Sequence, residues 1–210
     1  KIGFFPQNID LLLKFISKND LIKYNIVDYN GGSNFSNYYN LIIPIYNECG
    51  DAVGISGRSL ATDEERRLLN ISKYKNSSYK KSNLLFGLNG AKKSILKSKN
   101  VFVVEGYFDK VAMDKIGLNN SVAICGTAFS KNHFLKLLKY TNKITFLLDS
   151  DDAGKRSSES IFSKFSNRGV KLRFLKLPDQ YKDVDEYVNI GRKNKYDFFK
   201  DASLIMPGIW

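Results

Sequence analysis

A chain of 210 residues with 43% apolar and 13% aromatic content can bury a proper core, as one large domain or two small ones. No run approaches the roughly 18 apolar residues of a membrane-spanning helix, and the start has no signal-peptide pattern, so the expectation is a soluble protein of the cytoplasm with no membrane partner. The formal net charge of +12 suits a nucleic-acid enzyme, although the Lys-, Asn-, Ile- and Tyr-rich composition of an AT-rich genome would produce the same excess.

The opening Lys1-Ile2-Gly3 carries no initiator Met and reads as the start of an excised fragment. Residues 8–18 begin with Asn8 as N-cap and place Leu11, Leu12, Phe15 and Ile16 on one face, which predicts a helix. Residues 29–40, rich in Tyr, Asn, Gly and Ser without a period, predict a loop. Two β-like runs between Leu41 and Leu60 flank Glu48-Cys49-Gly50-Asp51 and predict a hairpin, with Pro44 marking an edge or a bulge. The charged stretch 61–83 reads as a solvated loop, although its interleaved Tyr and Lys also suit nucleic-acid contact.

After a helix near Ala91–Lys97 the pattern becomes regular: strands at 101–105, 121–125, 144–149 and 170–176 alternate with helices at 107–117, 130–140, 153–166 and 183–190. Such alternation predicts right-handed βαβ units and a parallel sheet covered on both faces. The fold class is therefore α/β, a Rossmann-like parallel sheet with helices on both faces, preceded by a mixed α+β subdomain. The expected boundaries are 1–98, 99–190 and a helical extension over 191–210. Cys49 and Cys125 each lie in an apolar strand-like segment and read as buried thiols rather than a disulfide framework. With His133 the only histidine and no Cys-x-x-Cys pair, no structural zinc site can be assembled.

The informative residues are acidic and sit at strand ends. Glu105-Gly106-Tyr107-Phe108-Asp109 follows the apolar run Val101–Val104, and Asp149-Ser150-Asp151-Asp152-Ala153-Gly154 follows Ile144–Leu148. Asp183 and Asp185 follow the strand Lys171–Leu177 at the opening of a helix, where Asp183 reads equally as an N-cap or a ligand. Ligands of open α/β sheets bind outside the carboxyl ends of the strands. Carboxylates gathered there repel one another unless a cation neutralises them, and hard oxygen donors favour magnesium, manganese or calcium.

VVEGYFD (103–109), ICGTAFS (124–130), LLDSDDAG (147–154) and LPDQYKDVDEYV (177–188) resemble the motifs of toprim domains, found in bacterial primases, topoisomerases of types IA and II and some nucleases. Upstream, IPIYNECGDAVGISGRSL (43–60), SKYKNSS (72–78) and KSNLLFGL (81–88) resemble the primase-specific core, and IGFFPQNIDLLLKFI resembles its opening. The chain from about residue 1 to 190 is thus identified as similar to the catalytic core of DnaG-type bacterial and phage primases.

That resemblance implies DNA-templated synthesis of short RNA primers. Glu105, Asp149 and Asp151 would be catalytic. These three, with Asp183 and Asp185, would hold two or more magnesium or manganese ions, supported by Asp109 from behind. Arg58, Lys73, Asn76 and Lys81 would grip nucleotide phosphates or nucleic-acid backbones, and Gly106, Gly126 and Thr127 would turn the chain past the site. The implied partners are a single-stranded DNA template, ribonucleoside triphosphates, the RNA primer and a replicative helicase bound through a region outside this chain. The family's arginine-rich approach to the first core strand is replaced by Asn37-Tyr38-Tyr39-Asn40-Leu41, without arginine. The alternative from the same metal chemistry is a toprim-type nuclease.

Overall fold

The structure, a computed structural model, describes residues 2–208 other than Gln7, Asn34, Ser36 and Thr127. It divides into two units, Lys1–Tyr46 with Gly50–Lys80, and Asn47–Cys49 with Lys81–Trp210.

In the first unit, β1 (Gly3–Phe4), β2 (Leu41–Tyr46), β3 (Ala52–Arg58) and β4 (Tyr74–Asn76) form an antiparallel sheet in that order. β2 and β3 make the expected hairpin, whose turn holds Gly50 at φ +98°, a conformation that favours glycine. β1 pairs only with Leu41 and Ile42, so Pro44 lies on a stretch of β2 with a described strand on one side alone, and the register slips between Ile45 and Tyr46. The reading of Pro44 as an edge or bulge residue holds in both senses. The glycine at 57 has a packing reason as well. A Cβ there would stand 2.5 Å from the Tyr39 carbonyl oxygen and 2.6 Å from the Phe35 ring, so the loop residues Phe35 and Tyr39 close directly over the strand.

Two expectations for this unit change. The helix predicted over 8–18 is broken into α1 (Asp10–Leu13) and α2 (Lys18–Lys23). The N-cap of the first is Ile9 rather than Asn8, whose side chain accepts from the Asp10 N–H at 2.8 Å from one residue further out, and Ser17 accepts from the Asp20 N–H and starts a new helix. Of the predicted apolar face, Leu12 packs beside the small core of Phe5, Phe35 and Tyr39, whereas Phe15 is 86% exposed. The stretch 61–83 is not a loop throughout. Thr62 and Glu65 form a capping box on α3 (Asp63–Leu68), and Tyr74–Asn76 pairs with β3. The Thr-x-x-Glu signature was present in the sequence; the high charge obscured it.

In the second unit, α4 (Leu88–Ser98) precedes β5 (Val101–Val104), α5 (Tyr107–Lys115), β6 (Ser121–Ala123), α6 (Lys131–Leu138), β7 (Lys143–Phe146), α7 (Asp152–Phe165), β8 (Lys171–Lys176), α8 (Val184–Asn189), α9 (Lys195–Asp201) and β9 (Ser203–Ile205). The sheet order is β6-β5-β7-β8-β9, with the first four parallel. β9 joins β8 antiparallel, so the end of the chain is not helical alone as expected. Burial explains the uniformly apolar β5: Val101 and Val103 pack into one cluster with Leu88, Ile95, Phe134 and Ile161, while Phe102 and Val104 pack into another with Met113, Tyr187 and Phe198. Helices α4, α6 and α7 supply the first cluster and α5, α8 and α9 the second. Leu88, Ala91 and Ile95 belong to this core, so α4 packs with the sheet that follows it.

Cys49 stands exposed in the hairpin turn, contrary to the buried thiol expected, because its apolar neighbours end at Tyr46. Cys125 is half-buried, and burial pushes its thiol well above the ordinary range. Both are free. Among the described residues no helix is long and apolar enough to cross a membrane.

His133 is fully buried on α6, where Nδ1 accepts from the Ser130 N–H at 3.2 Å and Nε2 lies 3.0 Å from the Lys81 carbonyl oxygen. That geometry fits a neutral ring with the proton on Nε2; a second proton would point at an N–H. Burial, foremost, holds its pKa below the usual histidine value of 6.5. The folded state thus binds fewer protons than the unfolded one, so this stability is fully present above about pH 6.5 and is lost as pH falls below that value through the lower pKa of the folded state. Urea midpoints at pH 8 and pH 5.5 are expected to fall less in His133→Gln than in the wild type. Equal falls in both would remove this histidine as the cause.

Candidate active site

The parallel arrangement of β5, β7 and β8 puts three acidic loops at one edge. Glu105 follows β5 directly, and its Oε1 accepts from the Asp149 N–H at 3.0 Å, which ties the loop after β7 to the end of its neighbouring strand. Asp109, one turn into α5 and 7% exposed, accepts from the Gly106 N–H at 2.8 Å through Oδ2 and from the Asp185 N–H at 3.1 Å through Oδ1. One buried carboxylate therefore joins the start of α5 to the start of α8. Ser150 completes the linkage, donating its N–H to the Lys182 carbonyl oxygen at 3.2 Å.

Asp151 and Asp183 are both N-caps, accepting from the Gly154 N–H at 2.9 Å and the Glu186 N–H at 2.8 Å. A cap of this kind contributes about 1 kcal/mol to its helix. For Asp183 this bears on the alternatives left open by the sequence: the side chain caps α8 and also acts electrostatically on Asp109 and Asp149. Asp185 Oδ1 accepts from the Asn189 side-chain amide at 2.7 Å.

The electrostatic state of the edge follows from burial and crowding. Burial first, then the nearby Glu105, Asp109, Asp183 and Asp151, push the Asp149 carboxyl up to about 7. Glu105 is raised chiefly by burial, opposed by its bond from the Asp149 N–H and reinforced by Asp151 and Asp109. Asp109 is raised by burial and then by Asp183.

Among the described residues, no three acidic, His or Cys groups stand close enough together, as they are placed here, to hold a metal ion. The reason is visible in their partners. Asp151 and Asp183 are turned back onto helix N-termini, and Glu105 and Asp109 are turned onto backbone N–H groups. The donor set nevertheless suits a hard divalent cation. It consists of carboxylate oxygens from three loops, and two of its members, Glu105 and Asp149, together with Asp109 behind them, are pushed toward protonation, an imbalance that positive charge would relieve.

The remaining predicted residues fall in separate places. Arg58 ends β3, and its guanidinium donates to the Tyr74 hydroxyl at 2.9 Å and lies over that ring. Asn76 lies two residues along β4 from Tyr74 on the same face, with its Oδ1 accepting from the Tyr79 hydroxyl at 2.7 Å. Lys73 is exposed at the entrance to β4. Lys81 belongs to the second unit, in the 3-10 turn Lys81–Asn83. Gly106 is the N-cap of α5, and Gly126 has φ +75°, a left-handed turn that follows Cys125 at φ +52°. Thr127 lies outside the described residues.

Two residues at the site went unread in the sequence. Lys182 places positive charge beside Glu105; its position next to Asp183 was the available signal. At Gly154, a Cβ would collide with the Asp149 carbonyl, so the close of DSDDAG must be glycine for α7 to start against the Asp149 backbone.

Fold and site together define a toprim-type centre. A Toprim-like family model matches residues 102–188, and the family model for the N-terminal domain of the DNA primase catalytic core matches residues 1–92. The chain belongs to the DnaG-type primase family, as a catalytic core with a toprim domain. It is 32% identical over 193 residues to the DNA primase of Aquifex aeolicus and 38% identical over 154 residues to that of Synechococcus elongatus, matching 89% and 70% of this chain. These matches span 38% and 22% of those relatives' lengths. Among solved structures, the zinc-binding and RNA polymerase domains of the A. aeolicus primase align with TM-score 0.79 at 30% identity, over 97% of this chain and 51% of that one. The E. coli primase catalytic core aligns with TM-score 0.75 at 30% identity, over 95% and 65%. A DnaG primase catalytic domain bound to single-stranded DNA aligns with TM-score 0.74 at 28% identity, over 95% and 66%.

Gly154→Ala is expected to displace the Asp149 loop and to cost about 1–3 kcal/mol of stability, as overpacking does. Urea denaturation checks it. A midpoint equal to that of the wild type would show that the loop has room to spare.

Proposed function

We propose that this chain carries the nucleotidyl-transfer centre of a primase, which joins ribonucleotides on a single-stranded DNA template into a short RNA primer. The observation that carries this reading is the juxtaposition of acidic loops at the carboxyl edge of β5 and β7, where Glu105 accepts from the Asp149 N–H and Asp109 from the Asp185 N–H, in a chain whose first 92 residues match the primase-specific domain. That domain favours synthesis over the toprim nuclease alternative, which the acidic edge alone would serve equally.

Toprim primase domains are in general metal-dependent. Glu105, Asp149, Asp151, Asp183 and Asp185 would hold two magnesium or manganese ions, which when bound lower the pKa of an attacking 3′-hydroxyl and stabilise the leaving pyrophosphate. Glu105 and Asp149 meet across neighbouring strands, so their relative position is fixed by the sheet ladder. Asp109 acts behind them by fixing the Asp185 backbone. Arg58, Lys73, Asn76 and Lys81 would contact triphosphate or nucleic-acid backbone, with Tyr74 holding the Arg58 guanidinium in a set direction. The toprim domain proper would run over 99–190, preceded by the α+β subdomain. Single-stranded DNA, ribonucleoside triphosphates and the growing RNA are the partners of this reaction, and a replicative helicase would be engaged by parts of the protein outside the chain.

With single-stranded DNA, four ribonucleotides and magnesium or manganese, the chain is expected to produce short RNA. Asp149→Ala should reduce synthesis at least about 100-fold, in the range seen on removing a charge-stabilising group, with the melting temperature retained. No incorporation together with degradation of the DNA would favour the nuclease instead. Lys73→Ala and Lys81→Ala should weaken binding of template or nucleotide, with the template effect steepest at low salt, as titrations in different salt concentrations would show. Affinities unchanged in both variants would return these lysines to an ordinary solvated surface.

A further inference from the structure

Away from the acidic edge, the second unit holds a groove of about 640 Å³ alongside α6 and the end of α7. That volume lies within the range of ligand-binding clefts. Its floor is apolar, built from Phe129, Phe134 and Phe165 with Leu135 beside them, and Leu135 remains 49% exposed. The rim carries Lys131, Lys164 and Arg168, all exposed, and among the described residues no acidic one lines the groove. None of these three cations stands in an ion pair among the described residues. None of them belongs to the acidic site or to the residues assigned above to nucleotide or template.

The ring geometry narrows the occupant. Phe134 stacks face to face on Phe165 with centroids 4.6 Å apart, and Phe129 meets Phe146 and Phe165 edge to face. The three rings of the floor are 3–6% exposed, so their faces are spent within the core and offer no platform for stacking a base. What remains open is an apolar hollow large enough for a side chain, ringed by unpaired positive charge. A single-stranded nucleic acid would use the charge and leave the hollow unused. An acidic polypeptide with an apolar anchor uses both.

We propose that this groove docks a short acidic peptide segment of a partner protein, with an aromatic or aliphatic side chain seated against Leu135 and the Phe129 edge and carboxylates on Lys131, Lys164 and Arg168. The proposal does not depend on the chemistry assigned to the acidic edge.

Fluorescence anisotropy with the labelled peptide Asp-Glu-Asp-Phe-Glu-Leu-Asp tests it, alongside a version with Ser for Phe and Leu and a labelled oligo(dT). The first peptide is expected to bind, and the Ser version to bind roughly tenfold more weakly. Lys164→Glu with Arg168→Glu should lower the affinity for the first peptide by about tenfold, the sum of several rim contacts. Leu135→Asp should do likewise, while both variants keep the wild-type melting curve and primer synthesis. Equal binding of the two peptides would reduce the groove to a patch of charge and overturn the proposal. So would peptide binding indifferent to the variants, no peptide binding at all, or a charge-reversed variant that loses oligo(dT) while keeping the peptide.

Discussion

Mutual repulsion of carboxylates at one sheet edge is the constraint around which the second unit is arranged. β5 is buried on both faces, so the first residue free of the core is Glu105, and the neighbouring strand β7 delivers Asp149 to the same edge. Burial and crowding together push Asp149 up to about 7. The chain answers this with N–H groups: Asp149 donates to Glu105, Gly106 and Asp185 donate to Asp109, and the starts of α7 and α8 donate to Asp151 and Asp183. These bonds favour the ionised forms and keep the loops in place. They also turn the side chains away from any common centre, and among the described residues no three of them stand together as a metal-holding cluster.

The supporting residues are as specific as the acidic ones. Asp109 links α5 to α8, Ser150 links the β7 loop to Lys182, and Gly154 lets the first turn of α7 lie against the Asp149 backbone. Each joins segments that are separate in sequence or closer than a Cβ allows. A site made of three loops is positioned only as well as such links hold it, since loops carry few core contacts of their own.

The first unit is built on a different balance. Its core centres on Phe5, Phe35 and Tyr39, few residues beside the two clusters that flank the parallel sheet. It relies accordingly on local order: the capping box of α3, the glycine turn of the hairpin, and the closure of Phe35 and Tyr39 over Gly57. On its β3–β4 face the guanidinium of Arg58 is held by Tyr74, so a basic residue is pre-oriented by an aromatic one rather than left to sample solvent.

The sequence by itself determined whatever depends on local period and composition. The alternation of strands and helices after residue 100, the hairpin at 41–60, the two-sided burial of β5 and the acidic strand ends could all be read from neighbouring residues, and the upstream motifs separated a primase core from other toprim proteins. Tertiary structure alone decided the sheet order that makes β5 and β7 neighbours, the N–H partner of each carboxylate, the contact that demands Gly154, and the capture of 203–205 as an edge strand. It also decided against local signals: Ser17 restarted a helix that periodicity ran through, and β3 drew 74–76 out of a stretch that charge marked as loop. These outcomes rest on contacts between residues far apart in the chain, whose energies no local pattern contains.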